Sequence, residues 1–329
     1  MRPFTYARAA TLDDALRAAS EPGTAVLAGG TELINWLRLG IAAPDRVLDI
    51  TGIAGLDRIE QLPGGGLRIG ALARLNDVAA DERVERDWPV LRQAIHRSAS
   101  AQLRNLATIG ANLLQKTRCA YLRSDEPVPC NRRVPGSGCA ARNGHDDRHA
   151  LFGWTDECIA TQPSDPAVAL AALDAHVLTR SAGGGRRIAV TDFHVLPADG
   201  VDRETVLRPG ELIAAIEIGR PAPHSAYVKV RERESYEYAL VSAAATVDLA
   251  DGGRIEGARI ALGSVALSPW RLTAAERGVA GLAADDPAVT TALDAALAAA
   301  NPVPGSAYKL AIARGAARRA LMTAAGVGP

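Results

Sequence analysis

Four cysteines, Cys119, Cys130, Cys139 and Cys158, fall in one stretch with the spacing C-x10-C-x8-C-x18-C. Structural zinc normally shows at least one short C-x2-4-C knuckle, and none is present. Nothing in the chain indicates an oxidising compartment, so thiols or metal ligands are expected rather than disulfides. Four thiolates can cage an iron–sulfur cluster, with Arg118, Arg123, Arg132, Arg133 and Arg142 close by to offset its negative charge. Spacing by itself leaves an iron–sulfur cluster and zinc equally open. His145 and His149 share the segment at ligand-like spacing, although histidines in a polar loop are more often solvated or hydrogen-bonded to neighbours.

Two small-residue turns could approach an anion. In TAVLAGGTELINWLRLG, Gly29 and Gly30 sit where a strand should turn into a helix, so backbone N–H groups and the positive helix end can face a pyrophosphate. The GxGxxG spacing of the dinucleotide fold is absent, and such glycines are often purely conformational. In ATIGANLL, Thr108 offers a hydroxyl, Gly110 and Ala111 permit close backbone approach, and Asn112 offers an amide. Two such turns in one mixed domain suit the two halves of a long dinucleotide. Ser164 and Asp165 before Pro166 read first as an N-cap with proline in the first turn. Along YVKVRERE the period of two puts Lys229, Arg231 and Arg233 on one face. That face is either solvated charge or a basic stripe beside an electron-rich cofactor ring, where Lys229 would stabilise a reduced anionic form.

The elements that must position these groups are mixed. A strand, a Gly-Gly turn and a helix capped by Thr31 and closed by Gly40 are expected from 24 to 40, and a second strand in RVLDI. LRIGALARLNDVAAD should run from strand into a helix starting near Asn76 or Asp77. Periodicity disappears between 115 and 158, a structureless length uncommon in a compact domain unless something other than a hydrophobic core orders it. A domain boundary is expected near PAPHS. Beyond it, SAYVKVRERE, ALVSAAATVDLA and RIEGARIALGSVAL read as antiparallel strands, the last two joined at Asp251-Gly252-Gly253. Three alanine-rich helices, about 274–283, 287–300 and 306–325, should cover one face of that sheet.

The 329 residues allow two or three domains with real cores, and their composition is that of a folded globular protein. Basic and acidic residues number 37 each, so no global field favours nucleic acid or an anionic membrane. No run of 18 apolar residues occurs, and the N-terminus meets charge before a signal-peptide core could form, so no membrane span or export signal is expected.

With LAGGTELINWLR, TIGANLLQKTRC, PCNRRVPGSGCAA, CIATQPSDPAVALAALDA and KVRERESYEYALVSAA in this order, the chain resembles the FAD-binding medium subunit of the xanthine dehydrogenase family of molybdenum hydroxylases. The four cysteines make it most similar to the branch of bacterial molybdenum aldehyde oxidoreductases whose flavin subunit carries an additional 4Fe-4S cluster. The resemblance implies an α+β architecture: a two-subdomain FAD-binding fold of the vanillyl-alcohol oxidase/p-cresol methylhydroxylase type, then a C-terminal domain of three-stranded antiparallel sheet plus helical bundle. The corresponding division is 1–220, with the cysteine loop at about 115–158, and 221–329. It further implies that Val26, Leu27, Ala28, Gly29, Gly30, Thr31, Glu32, Leu33 and Ile34, with Thr108, Gly110, Ala111 and Asn112, hold non-covalent FAD. Asp165 and Lys229 would lie toward the rest of the flavin, and Cys119, Cys130, Cys139 and Cys158 would bind one 4Fe-4S cluster.

The implied role is electron transfer within a heterotrimer. A large subunit with molybdenum cofactor oxidises the substrate, a small subunit with 2Fe-2S clusters relays electrons, and this chain passes them to an acceptor without binding aldehyde or contributing a catalytic residue. The complex would be cytoplasmic, or periplasmic if exported with a signal-bearing partner. A stand-alone flavin oxidase, a flavin subunit like that of 4-hydroxybenzoyl-CoA reductase, and a non-catalytic zinc-stabilised binding protein are the alternatives.

Overall fold

The structure is a computed structural model and describes residues 1–328. It opens with a three-stranded parallel sheet in the order Thr5–Arg8, Arg46–Asp49, Thr24–Leu27. The helix Leu12–Ala19, N-capped by Thr11, crosses between its first two strands in sequence. The expected strand in RVLDI is the central one, and its Val47 and Leu48 are buried on opposite faces, as strand alternation requires.

A second sheet of five antiparallel strands runs Ile59–Gln61, Leu67–Gly70, Leu212–Ile218, His176–Arg180, Arg187–Ala189. Short helices, among them Leu75–Ala80, Pro89–Arg97 and Asp165–Ala172, pack on it around Trp88, Leu91, Ile109 and Phe193. The Asp165–Ala172 helix is apolar all round and buried throughout, which is why it shows no amphipathic stripe. Ser164 caps it, its hydroxyl accepting from the Ala167 amide at 3.1 Å.

The last third holds an antiparallel sheet of Ser225–Val230, Val241–Leu249, Ile255–Gly263 and the two-residue edge Trp270–Arg271. Three long strands match expectation; the fourth is too short to show as a period. Gly252 and Gly253, at φ +84° and +74°, make the turn between the middle strands. Helices Thr273–Gly278, Pro287–Leu297 and Lys309–Ala324 cover this sheet with alanines and leucines. Each is shorter than its sequence pattern, the first ending at Gly278 and the last starting only after the Pro304–Ser306 turn.

The early turn departs from expectation in one detail. The helix after it is Leu33–Arg38 with Glu32 at its N-cap position, so Thr31 lies one residue too early to cap it, and the Glu32 side chain serves other partners. Among the described residues no helix is long and apolar enough to cross a membrane.

Candidate flavin and cysteine sites

The strand Thr24–Leu27 delivers the chain to residues 28–32, which face residues 107–112 across a cavity of about 250 Å3. Two glycines set that approach. A Cβ on Gly29 would lie 1.8 Å from the Leu106 carbonyl oxygen, and one on Gly110 would lie 2.8 Å from the Ala71 Cβ. Gly30, at φ +73°, reverses the chain so that the amides of Gly29, Gly30 and Thr31 find no backbone carbonyl partner among the described residues. These are the free donors an anionic phosphate requires.

The opposite wall is held rigidly. Ile109 and Gly110 donate to the carbonyls of Ala73 and Ala71 at 2.9 and 3.0 Å, and Leu75 donates to the Ala107 carbonyl at 2.9 Å. Buried within it, the Thr108 hydroxyl has no partner, and the Arg118 Nε at the cavity wall has none either. Orphaned buried polar atoms are rare in folded proteins and here mark a place for a polar ligand. The walls between are apolar, from Leu33, Ile50, Leu72, Leu103 and Leu212, with Trp36 and Tyr238 at the rim. An apolar slot with a few convergent polar groups and a run of free amides fits FAD.

Of the residues expected to hold flavin, Val26, Ala28, Gly29, Gly30, Thr31, Glu32, Leu33, Thr108, Gly110, Ala111 and Asn112 line this cavity. Leu27 packs with Leu33 and Leu37 instead, and Ile34 is half exposed. Asp165 and Lys229 do not line it; they meet each other at 2.8 Å, both buried. Tyr227 donates to the other Asp165 oxygen and Lys229 also donates to the Arg97 carbonyl at 3.0 Å. Burial raises the Asp165 pKa against the opposing pull of Lys229 and Tyr227. The basic face of that strand is therefore neither solvated at Lys229 nor directed at the cavity. Sequence reading missed Arg118, Gln115 and Tyr238 as cavity residues. Tyr238 follows its strand by eight residues, in a loop with no period.

The cysteine segment holds only one short 3-10 turn, Ala140–Asn143, yet it is firmly docked. Leu151 and Phe152 donate to the Val265 carbonyl at 2.7 and 3.0 Å, and Asn301 donates to the Leu151 carbonyl at 2.8 Å. Buried Lys309 reaches from the last helix to the carbonyls of His149 and Ser264 at 2.7 and 2.6 Å. Burial pushes this ammonium down to about 7. The C-terminal domain thus orders much of a loop whose own sequence lacks a core.

All four cysteines are free and line one small pocket together with Arg132 and His149. Cys130 and Cys139 pair as an isolated antiparallel bridge, while Cys158 closes a tight turn from Thr155. Burial pushes the Cys119 thiol up to about 11 and raises that of Cys139, so cationic compensation is needed for thiolates to form there. Arg132, whose side chain is 2% exposed, supplies some of it by donating to the Cys158 sulfur at 3.3 Å. The Nη2 of Arg132 and the Nδ1 of His149 are buried without partners. His149 lies 3.4 Å from the Cys119 sulfur, so of the two expectations for a loop histidine it follows hydrogen bonding to a neighbour rather than solvation. Among the described residues no three donors converge closely enough to hold a single metal ion. Four thiols thus line one pocket beside the Arg132 guanidinium, whose Nη1 donates to Glu204 at 3.4 Å and whose Nη2 alone lacks a partner.

Comparison with known proteins agrees with the flavin geometry. The family model for the FAD binding domain in molybdopterin dehydrogenase matches residues 2–221, and that for the CO dehydrogenase flavoprotein C-terminal domain matches residues 226–324. The chain is 46% identical over 317 residues to the aldehyde oxidoreductase FAD-binding subunit PaoB of Escherichia coli strain K12, covering 95% of this chain and 96% of that protein. It is 28% identical over 284 residues to the glyceraldehyde dehydrogenase medium chain of Sulfolobus acidocaldarius, covering 86% and 83% respectively. The crystal structure of cyanide-inactivated Cu,Mo-CO dehydrogenase superposes with a TM-score of 0.77 at 25% identity, covering 99% of both chains. Quinoline 2-oxidoreductase from Pseudomonas putida 86 gives 0.76 at 25% identity, covering 99% and 98%. With free amides and an orphaned hydroxyl facing one apolar slot, and both halves matched end to end, the chain belongs to the FAD-binding medium subunits of the molybdenum hydroxylase family of oxidoreductases.

Proposed function

We propose that this chain is the electron-transfer subunit of a molybdenum-dependent aldehyde oxidoreductase, holding FAD between residues 26–33 and 108–112 and one 4Fe-4S cluster on Cys119, Cys130, Cys139 and Cys158. The observation that carries the flavin assignment is the cavity whose free amides and orphaned Thr108 hydroxyl face each other across apolar walls. The aldehyde assignment is supported by the relative of 46% identity. When bound, the two groups would supply electron relay between a substrate-oxidising partner and an external acceptor.

The chain's own residues do the rest. The Gly29–Thr31 amides bind phosphate, Thr108 donates its hydroxyl to the same ligand, and the apolar walls exclude water. Arg132 neutralises charge at the cysteine pocket. We assign residues 1–220 to flavin binding and 221–329 to a second domain, a division supported by the separate family matches. The partners are a large subunit with molybdenum cofactor and a small 2Fe-2S subunit. The basis is that the relatives are named as subunits or medium chains. The complex works in the cytoplasm, or in the periplasm when a partner carries the leader.

The test is composition and dependence. Acid should release flavin from the anaerobically purified chain, and iron and sulfide should each approach four per chain, with the iron lost in Cys158→Ser. Stoichiometric zinc without iron would overturn the cluster. Aldehyde turnover should require co-expressed partners, and full turnover by the isolated chain would revive the stand-alone oxidase.

A further inference from the structure

Glu32 stands one residue beyond the flavin turn, and its carboxylate is spent on the cysteine loop. Arg118 Nη2 donates to Oε2 at 2.6 Å, while Arg123 Nη2 and Trp36 Nε1 donate to Oε1, each at 2.6 Å. The carboxylate is 12% exposed, and the arginine side chains are 23% and 15% exposed. The two arginines bracket Cys119. Arg118 precedes it directly, and the Arg123 amide donates to the Cys119 carbonyl at 3.2 Å while its Nε holds the Thr117 carbonyl at 3.0 Å. Arg118 also lies over the Tyr238 ring at 4.6 Å and lines the flavin cavity, its Nε buried without a partner. A helix cap would have used the Glu32 side chain on its own backbone; here it makes no such bond.

We propose that Glu32 is a positioning residue that couples the flavin cavity to the cysteine loop, so that filling either site tightens the other. A ligand that packs on the Arg118 side chain at the cavity wall fixes that guanidinium. Its partner Glu32 is then fixed, and with it Arg123 and the turn that carries Cys119. Charge-assisted pairs at one shared carboxylate transmit such a constraint better than apolar contacts, because moving one arm leaves a partly buried charge unpaired. Linkage makes the effect reciprocal: whatever factor FAD exerts on closure of the cysteine loop, occupation of the loop exerts on FAD affinity. The occupants are those of the reading above, but the coupling itself concerns only residues of this chain.

The experiment uses the full-length chain freed of metal by an anaerobic chelator. The rate of iodoacetamide modification at Cys119 is followed by mass spectrometry, with and without saturating FAD. In the wild type FAD should slow modification about tenfold, within the usual range of coupling between sites. In Glu32→Gln, at FAD concentrations shown to saturate it, the slowing should fall below about twofold, and Arg123→Gln should fall between. Circular dichroism and melting of each variant confirm that it folds. Unchanged modification on adding FAD to the wild type would overturn the coupling, as would full protection retained in Glu32→Gln or Arg123→Gln. The iron content of the chain as isolated tests the cluster separately. An iron-free chain refutes the cluster reading and still leaves the modification rates to decide the coupling.

Discussion

Replacing Gly29 with alanine would set a methyl group 1.8 Å from the Leu106 carbonyl oxygen and 2.6 Å from its carbon. Both are backbone atoms and cannot rotate away. Restoring van der Waals separation requires the two walls of the flavin slot to part by about 1.5 Å, and packed interiors resist such shifts at a cost of about 1–3 kcal/mol. The wall that must move is the one tied to Ala71, Ala73 and Leu75 by backbone hydrogen bonds, so the strain falls on the flavin turn and on Thr108. If about 2 kcal/mol is charged to the bound state, FAD affinity falls roughly thirtyfold. Gly30→Ala is the internal control. Its methyl would meet the flexible Ile34 Cδ1 at 3.2 Å, and the cost is chiefly the left-handed conformation at φ +73°, about 1 kcal/mol. FAD titrations on both variants, with melting curves of the flavin-free chains, rank the two effects. A Gly29→Ala chain that binds FAD within twofold of wild type and melts unchanged would refute the close approach of the two turns.

Further outcomes are expected from the buried polar groups. Lys229→Met leaves the Asp165 carboxyl buried with Tyr227 as its remaining side-chain partner, and should destabilise the chain by about 3–5 kcal/mol in urea unfolding. Adding Asp165→Asn should recover a large part of that loss, and strict additivity of the two changes would show that the pair does not interact. His194 is buried with its imidazole pushed down to about 4 by burial, whereas the unfolded chain titrates near 6.5. The unfolded state therefore binds more protons between those values, so stability present above 6.5 drains away as pH falls toward 4, by up to about 3 kcal/mol. His194→Gln should flatten the pH dependence of unfolding in that window; an unaltered slope would exclude His194 as its source. With the proposed cluster bound, Arg132→Met would remove the guanidinium 3.3 Å from the Cys158 sulfur and should shift the reduction potential negative. An unshifted potential in an EPR-monitored titration would deny it that role.

The chain's local chemistry determined much by itself. Gly-Gly after an apolar run, Thr-x-Gly-Ala-Asn, a Ser-Asp-Pro cap and the Asp-Gly-Gly hairpin all act through residues a few positions apart, so their backbone preferences are written where they are used. The antiparallel C-terminal sheet and its alanine-rich helices were legible for the same reason. Only the tertiary structure decided which groups meet. Lys229 and Asp165 are 64 residues apart and satisfy each other in the core, since a buried charge requires its nearest opposite charge more than a distant cavity does. Glu32 was expected only beside the flavin, and its carboxylate binds two arginines 86 and 91 residues later. The cysteine spacing allowed several metals, and it took folding against Val265, Asn301 and Lys309 to gather the four thiols around one pocket beside a buried guanidinium. Long-range pairing of charge and burial has no period in sequence, and so appears only when the chain is folded.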